Sequence, residues 1–200
     1  KTINFYNFPL DILPTSIQKI NILNASIYFR DIFTNTTWSS NNANFRVDFN
    51  EDNIVGKFEG QINTYESGFD LIFSSDYNYE NQSAKINVNF TKLFPKIFSS
   101  INNRFKPLEK INMLTSGDIS FNINKNGYIK NLYFNTYSQK GELDLNPFLI
   151  LPLSLDALEL SGEINVDQNT IDFEHLKMTI GESKFDSFGT ISSQNGGAIN

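Results

Sequence analysis

The sequence predicts an all-β protein, mainly antiparallel, drawn out into an elongated, twisted and curved sheet or groove with one short amphipathic helix. Three observations carry this. Apolar and polar residues alternate in run after run, which in a strand sends them to opposite faces. Turn-forming residues separate the runs at short intervals. And one phrase, Ser-Gly-acid-Ile, opens two matching units, at Ser116 and Ser161.

In chain order, Ala25, Ile27 and Phe29 form the first apolar stripe, followed by Phe45, Val47 and Phe49 with Arg46 and Asp48 on the opposite side. Phe69, Leu71 and Phe73 make the next, then Ile86, Val88 and Phe90 against Lys85, Asn87 and Asn89. Ile119, Phe121 and Ile123 follow, and later Leu158, Leu160, Ile164 and Val166, with Gly162 in the apolar phase. Asn50 to Asn53, Glu66 to Gly68, Lys125 to Gly127 and Asp167 to Asn169 supply the turns. Asn126-Gly127 is a hairpin signal, because both residues accept positive φ.

One segment departs from period two. Leu93, Phe94, Ile97, Phe98, Ile101 and Phe105 follow a 3.6-residue spacing. This predicts a helix from Pro95 to about 105, bounded by Pro107, with Ile97, Phe98 and Ile101 buried against the sheet. A second helical turn is expected within Asn7 to Lys19. The chain is therefore expected to divide into an N-terminal strand block of the β-groove (1–90), a helix and connector (91–112), a C-terminal repeated strand block (113–191) and a tail (192–200) expected to continue into a longer protein.

The repeat lies in the C-terminal block. Gly117 and Gly162 are 45 residues apart. Each is followed by a strand, a turn and a second strand bearing an apolar pair, Leu132 and Phe134 or Leu176 and Met178. In both units the apolar phase slips just before that pair, after Ile129 and after Phe173. A one-residue slip is what a β-bulge produces. Gly141 and Gly189 then fall in a third strand of each unit. The phase predicts that Ile119, Phe121, Ile123, Leu132, Phe134, Leu158, Leu160, Ile164, Val166, Ile171, Phe173, Leu176 and Met178 line one face.

Composition narrows the function. Of 200 residues, 40% are hydrophobic and 19 are Phe, enough for a sizeable apolar surface. A net charge of -6 argues against nucleic acid, whose phosphates call for a surplus of Lys and Arg. With no cysteine, disulfides, thiolate metal sites and thiol nucleophiles are excluded. The single histidine, His175, has no second imidazole for a triad or a metal centre, and reads as a partly exposed strand residue at the second phase slip. Asp172 and Glu174 alternate with Ile171 and Phe173, and Asp167 sits in a turn, so the three read as solvated carboxylates. Trp38, the one tryptophan, reads as core or edge packing. No cofactor, metal site or catalytic residue is expected, and no apolar run reaches the roughly 18 to 20 residues of a membrane span.

Residues 91 to 191 resemble the AsmA-like family of Gram-negative envelope proteins, in particular its large YhdP and TamB relatives. The resemblance is carried by SGDISFNI (116–123), KGELDLNPFLILPLSLDALELSGEINV (140–166) and IDFEHLKMTIGESKFDSFGTI (171–191). It implies a segment of a bridge-like lipid transfer protein, a β-groove lined by the thirteen residues above and carrying phospholipid acyl chains. It also implies a periplasmic location, an inner-membrane anchor outside this segment, and delivery towards the outer membrane. The residues themselves leave other functions open. A closed β-sandwich or adhesin-like binding module would pair the same apolar faces with each other, and an enzyme built on acidic pairs would use the carboxylates. About twelve strands at roughly 4.8 Å spacing would make a sheet on the order of 55 Å wide.

Overall fold

A computed structural model describes residues 17–31, 36–64, 67–99, 103–194 and 198–199. These residues form strands β1 (Lys19–Asp31), β2 (Thr36–Phe49), β3 (Asn53–Asn63), β4 (Gly68–Asn78), β5 (Ser83–Leu93), β6 (Ile111–Asn112) and β7 (Thr115–Ile123). There follow β8 (Ile129–Leu143), β9 (Leu153–Asn165), β10 (Thr170–Ile180), β11 (Ser183–Gln194) and β12 (Ala198–Ile199). Each strand pairs with the next and every pairing is antiparallel, except that β5 passes directly to β7 while the short β6 flanks the end of β8. The N-terminal and C-terminal strand blocks are therefore parts of one meander. Its eleven-strand path has ten intervals, about 48 Å at the usual interstrand spacing.

The turns fall where turn residues stand. Asn50 closes the β2–β3 hairpin by bonding to Asn53, and Asn169 takes a positive φ between β9 and β10. The Asn-Gly pair behaves differently from expectation. Gly127 alone adopts positive φ, closing on the Asn124 carbonyl, while the Asn124 side chain accepts the backbone N–H groups of Asn126 and Tyr128. A side-chain acceptor at the start of the loop thus replaces the two-residue turn that needs both residues left-handed.

The segment expected as one amphipathic helix is instead two 3-10 segments, Pro95–Phe98 and Asn103–Lys110. The i→i+3 bonds from Ile97 to Phe94 and from Ser99 to Lys96 set the tighter winding of the first. In the second, Pro107 lies inside, removing a donor and disfavouring the α conformation at the residue before it. Ile97 and Phe98 are half-buried against the sheet, whereas Ile101 lies outside the described residues. So does most of the Asn7 to Lys19 segment, whose last residue opens β1 as extended chain.

Two hydrophobic clusters hold this end of the sheet. Phe69, Phe90 and Leu93 form the first, with Trp38, Ile97 and Phe98 packed on them. The Trp38 ring stacks on Phe98 at 5.8 Å and meets Phe69 edge-on, so it packs as a core residue. Met113, Leu155 and Leu158 form the second, flanked by Ile111, Leu143 and Leu153. Each cluster draws on neighbouring strands and the connector between β5 and β7.

Both phase slips are register shifts. One lies between Phe121 and Ile123 of β7 against Leu132 and Ile129 of β8, the other between Phe173 and His175 of β10. Further shifts occur where Asn24 and Lys92 adopt positive φ. The repeat itself is shorter than expected. Gly141 continues the 15-residue β8, whereas Gly189 belongs to a separate strand, β11, so only the hairpins β7–β8 and β9–β10 correspond. The expected tail also begins too early, because β11 runs to Gln194 and β12 pairs back on it.

Candidate functional site

The feature that stands out is a face, and its geometry follows from register. Cross-strand partners in an antiparallel sheet point the same way. Starting at the first edge, one row reads Ile20, Val47, Gly56, Ser75, Ile86, Phe121, Leu132, Ile164, Ile171 and Ile191, each in register with the next. The adjacent row reads Ile22, Phe45, Phe58, Phe73, Val88, Ile119, Phe134, Gly162, Phe173 and Gly189. Each row crosses ten strands, about 43 Å over nine intervals. A third row, towards the clusters, runs Gly60, Leu71, Phe90, Gly117, Thr136, Leu160 and Leu176.

Twelve of the thirteen residues expected to line one face do share it, and they lie in β7 to β10. Val166 lies past the end of β9, in the turn, and is 46% exposed. On the other side the sequence reading expected a strand block (1–90) of the same groove but named no lining residue in it. The same face continues through β1 to β5, and β3 contributes Ile54, Phe58 and Ile62, whose alternation with Val55, Lys57, Glu59 and Gln61 carries the same period-two signal.

The face is covered unevenly. Among the described residues its fully buried members are few and gather mostly in the two clusters, at the end closed by the connector. Towards the β2–β3, β4–β5, β7–β8 and β9–β10 hairpins most of the row residues are only half-buried, with Gly56, Ile86 and Gly162 the buried exceptions. At the two margins Phe45 and Ile191 are exposed. An apolar face of this extent normally requires a second layer.

The opposite face is polar and paired. Asp48 accepts hydrogen bonds from Arg46 and lies 3.7 Å from Lys19 across the β1–β2 pair. The Arg46 hydrogen bond is the main cause that holds the Asp48 carboxyl below its usual value, and the same bond raises the guanidinium. Lys57 pairs with Glu59, Thr91 donates to Asp70 and Asn53 to Asp76. His175 is exposed at the β10 bulge, opposite Ser161. Asp172 accepts a hydrogen bond from the Thr190 hydroxyl, and Asp167 and Glu174 are exposed. No group of three or more His, Asp or Glu among the described residues is arranged to hold a metal ion, and no described helix is long and apolar enough to cross a membrane. What the arrangement offers chemically is apolar area: the paired charges of β2 to β5 lie on the other side of the sheet.

Comparison of the chain with protein-family models, with curated proteins and with solved structures finds no match.

Proposed function

We propose that this chain is a non-enzymatic segment of a bridge-like lipid transport protein, its sheet curved into a groove whose apolar face carries phospholipid acyl chains across the periplasm. The observation that carries this reading is the pair of uninterrupted cross-strand rows, ten strands wide, half-exposed to solvent outside the two clusters. Acyl chains suit such a face because they are held by area. Each CH2 removed from water contributes about 0.8 kcal/mol, without any need for a polar contact. The head group stays in solvent. The resemblance of residues 91 to 191 to the AsmA-like family points the same way, and with it to the cell envelope and to movement of lipid towards the outer membrane.

The test is native mass spectrometry of the protein purified from bacterial membranes, joined to site-specific photo-crosslinking. A crosslinker at Leu132 or Ile164, on the apolar face, is expected to capture phospholipid. One at Tyr133, on the other face of the same strand, is expected to capture none. Purified protein free of phospholipid, or equal capture from both faces, would sink the proposal. Leu132→Asp places a carboxylate among apolar neighbours, where lipid would exclude its water, and is expected to abolish capture at Ile164 while the protein stays folded.

A further inference from the structure

The β8–β9 connection carries a second apolar feature, separate from the broad face. From Leu145 to Leu155 the chain contains no charged residue. Within it Phe148, Ile150 and Leu151 are 84%, 98% and 76% exposed, and Leu149 is exposed as well. None of these four belongs to either hydrophobic cluster. The tip is nevertheless built. Phe148 and Leu149 donate to the Leu145 carbonyl, Asn146 donates to the Asp144 side chain, and Lys110 reaches across from the connector to the Asn146 carbonyl. Charge gathers at the base, where Asp144 and Lys110 hold Asn146 on one side and Lys140 pairs with Asp156 at 3.5 Å on the other.

We infer that this tip inserts into the interface of a lipid bilayer. The occupant follows from the direction of exposure. A groove on a protein covers one side of a peptide, whereas four consecutive large side chains exposed together are matched by a medium that is apolar all round. The stretch is too short to span a bilayer but suits burial to about 5–10 Å at the headgroup boundary. The hydrogen bonds at Leu145 lower the cost of bringing backbone near hydrocarbon. Because the base holds both signs of charge, and the chain as a whole carries -6, binding should not require anionic lipid. This contact does not depend on what the broad apolar face carries.

The chain has no cysteine, so one introduced thiol reports on one place. Ile150→Cys carrying an environment-sensitive dye is expected to brighten and shift to the blue with phosphatidylcholine vesicles. The same dye at Asn126→Cys, in the hairpin at the opposite end of the sheet, is expected to stay unchanged. Wild-type protein should float with these vesicles, and at least as well as with vesicles containing phosphatidylglycerol. The double variant F148S/I150S should lose partition on the order of 100-fold, with its circular dichroism unaltered, while Leu132→Asp on the broad face floats like wild type. Wild-type protein that does not float, or F148S/I150S that floats equally well, overturns the inference. So does a dimer that forms without vesicles and dissolves on the same two substitutions, which would make the tip a contact between copies of this chain.

Discussion

Phe134 on β8 and Phe173 on β10 meet edge to face across the strand between them, their ring centroids 6.0 Å apart and their planes at 78°. The residue in register between them is Gly162. A Cβ there would lie 2.0 Å from the Asp172 carbonyl oxygen, so the position has room for glycine alone. Gly117, in register between Phe90 and Thr136, is equally tight: a Cβ there would lie 2.2 Å from the Asn135 carbonyl oxygen. The repeated Ser-Gly-acid-Ile phrase therefore marks two places where the backbone of a neighbouring strand leaves no room for a side chain.

Gly162→Ala and Gly117→Ala are expected to destabilise the protein by about 1–3 kcal/mol each, because backbone must shift to admit the methyl group. Gly56→Ala should cost less, since its closest neighbour is the movable Ser75 hydroxyl. Urea denaturation of the three variants checks this, and equal stabilities would show that the clash at 162 is relieved at no cost.

Thr115 and Ser138 share a buried hydrogen bond of 2.8 Å between β7 and β8, and the Thr115 hydroxyl also reaches the Met113 carbonyl. Thr115→Val leaves the Ser138 hydroxyl buried without that partner and should cost about 1–3 kcal/mol. Adding Ser138→Ala should recover much of the loss, giving a favourable coupling in a double-mutant cycle. Additive losses would mean that the two hydroxyls do not act as a pair.

How much of this was legible in the sequence depends on the range of the interaction. Period two is local, so the faces of β2, β4, β5, β7 and β9 could be read from Phe45, Leu71, Val88, Phe121 and Leu160 without knowing any partner. The bulges were legible for the same reason, since a slip of phase is written into one strand. The connector was misread because Ile97 and Phe98 pack on the sheet in a 3-10 turn much as they would from an α-helix, and apolar spacing alone does not separate the two. The strand β3 was not recognised, and its face residues went unnamed. Gly56 and Gly60 occupy apolar-phase positions there and dilute the hydrophobic signal. The exposed tip at Phe148 to Leu151 was missed because an apolar run in sequence looks the same whether it is buried or not.

Asp48 provides a pH-dependent contact at the first edge of the sheet. The Arg46 hydrogen bond holds its folded-state carboxyl below the usual value, with Lys19 on β1 adding attraction. A depressed carboxyl contributes stability that is present above the ordinary Asp value and lost as pH falls through the lower folded value. Arg46→Gln is therefore expected to move the Asp48 titration up towards the ordinary range, as followed by the side-chain carboxyl NMR shift. Hydrogen exchange at the Lys19 end of β1 should quicken at a higher pH than in the wild type. An Asp48 titration unmoved by Arg46→Gln would assign the depression to something other than the guanidinium.

The two ends of the apolar face should respond differently to truncation. Leu155 is 1% exposed and sits with Met113 and Leu158 in a closed cluster, so Leu155→Ala leaves a cavity and should cost about 2–5 kcal/mol. Ile164 lies between Leu132 and Ile171 in the ten-strand row and is only half-buried. With part of its side chain already in water, Ile164→Ala should cost about 1 kcal/mol. Equal losses at the two positions would mean that a second layer covers the row, and the open-face reading would fall. The same asymmetry sets what a bound lipid must do. Acyl chains settling on the row stabilise the folded state by mass action, so added phospholipid should raise the melting temperature. That rise should vanish in Leu132→Asp and persist in Gly56→Ala, whose glycine occupies the same row but leaves its apolar neighbours in place. A rise of equal size in Leu132→Asp would place the lipid elsewhere on the molecule.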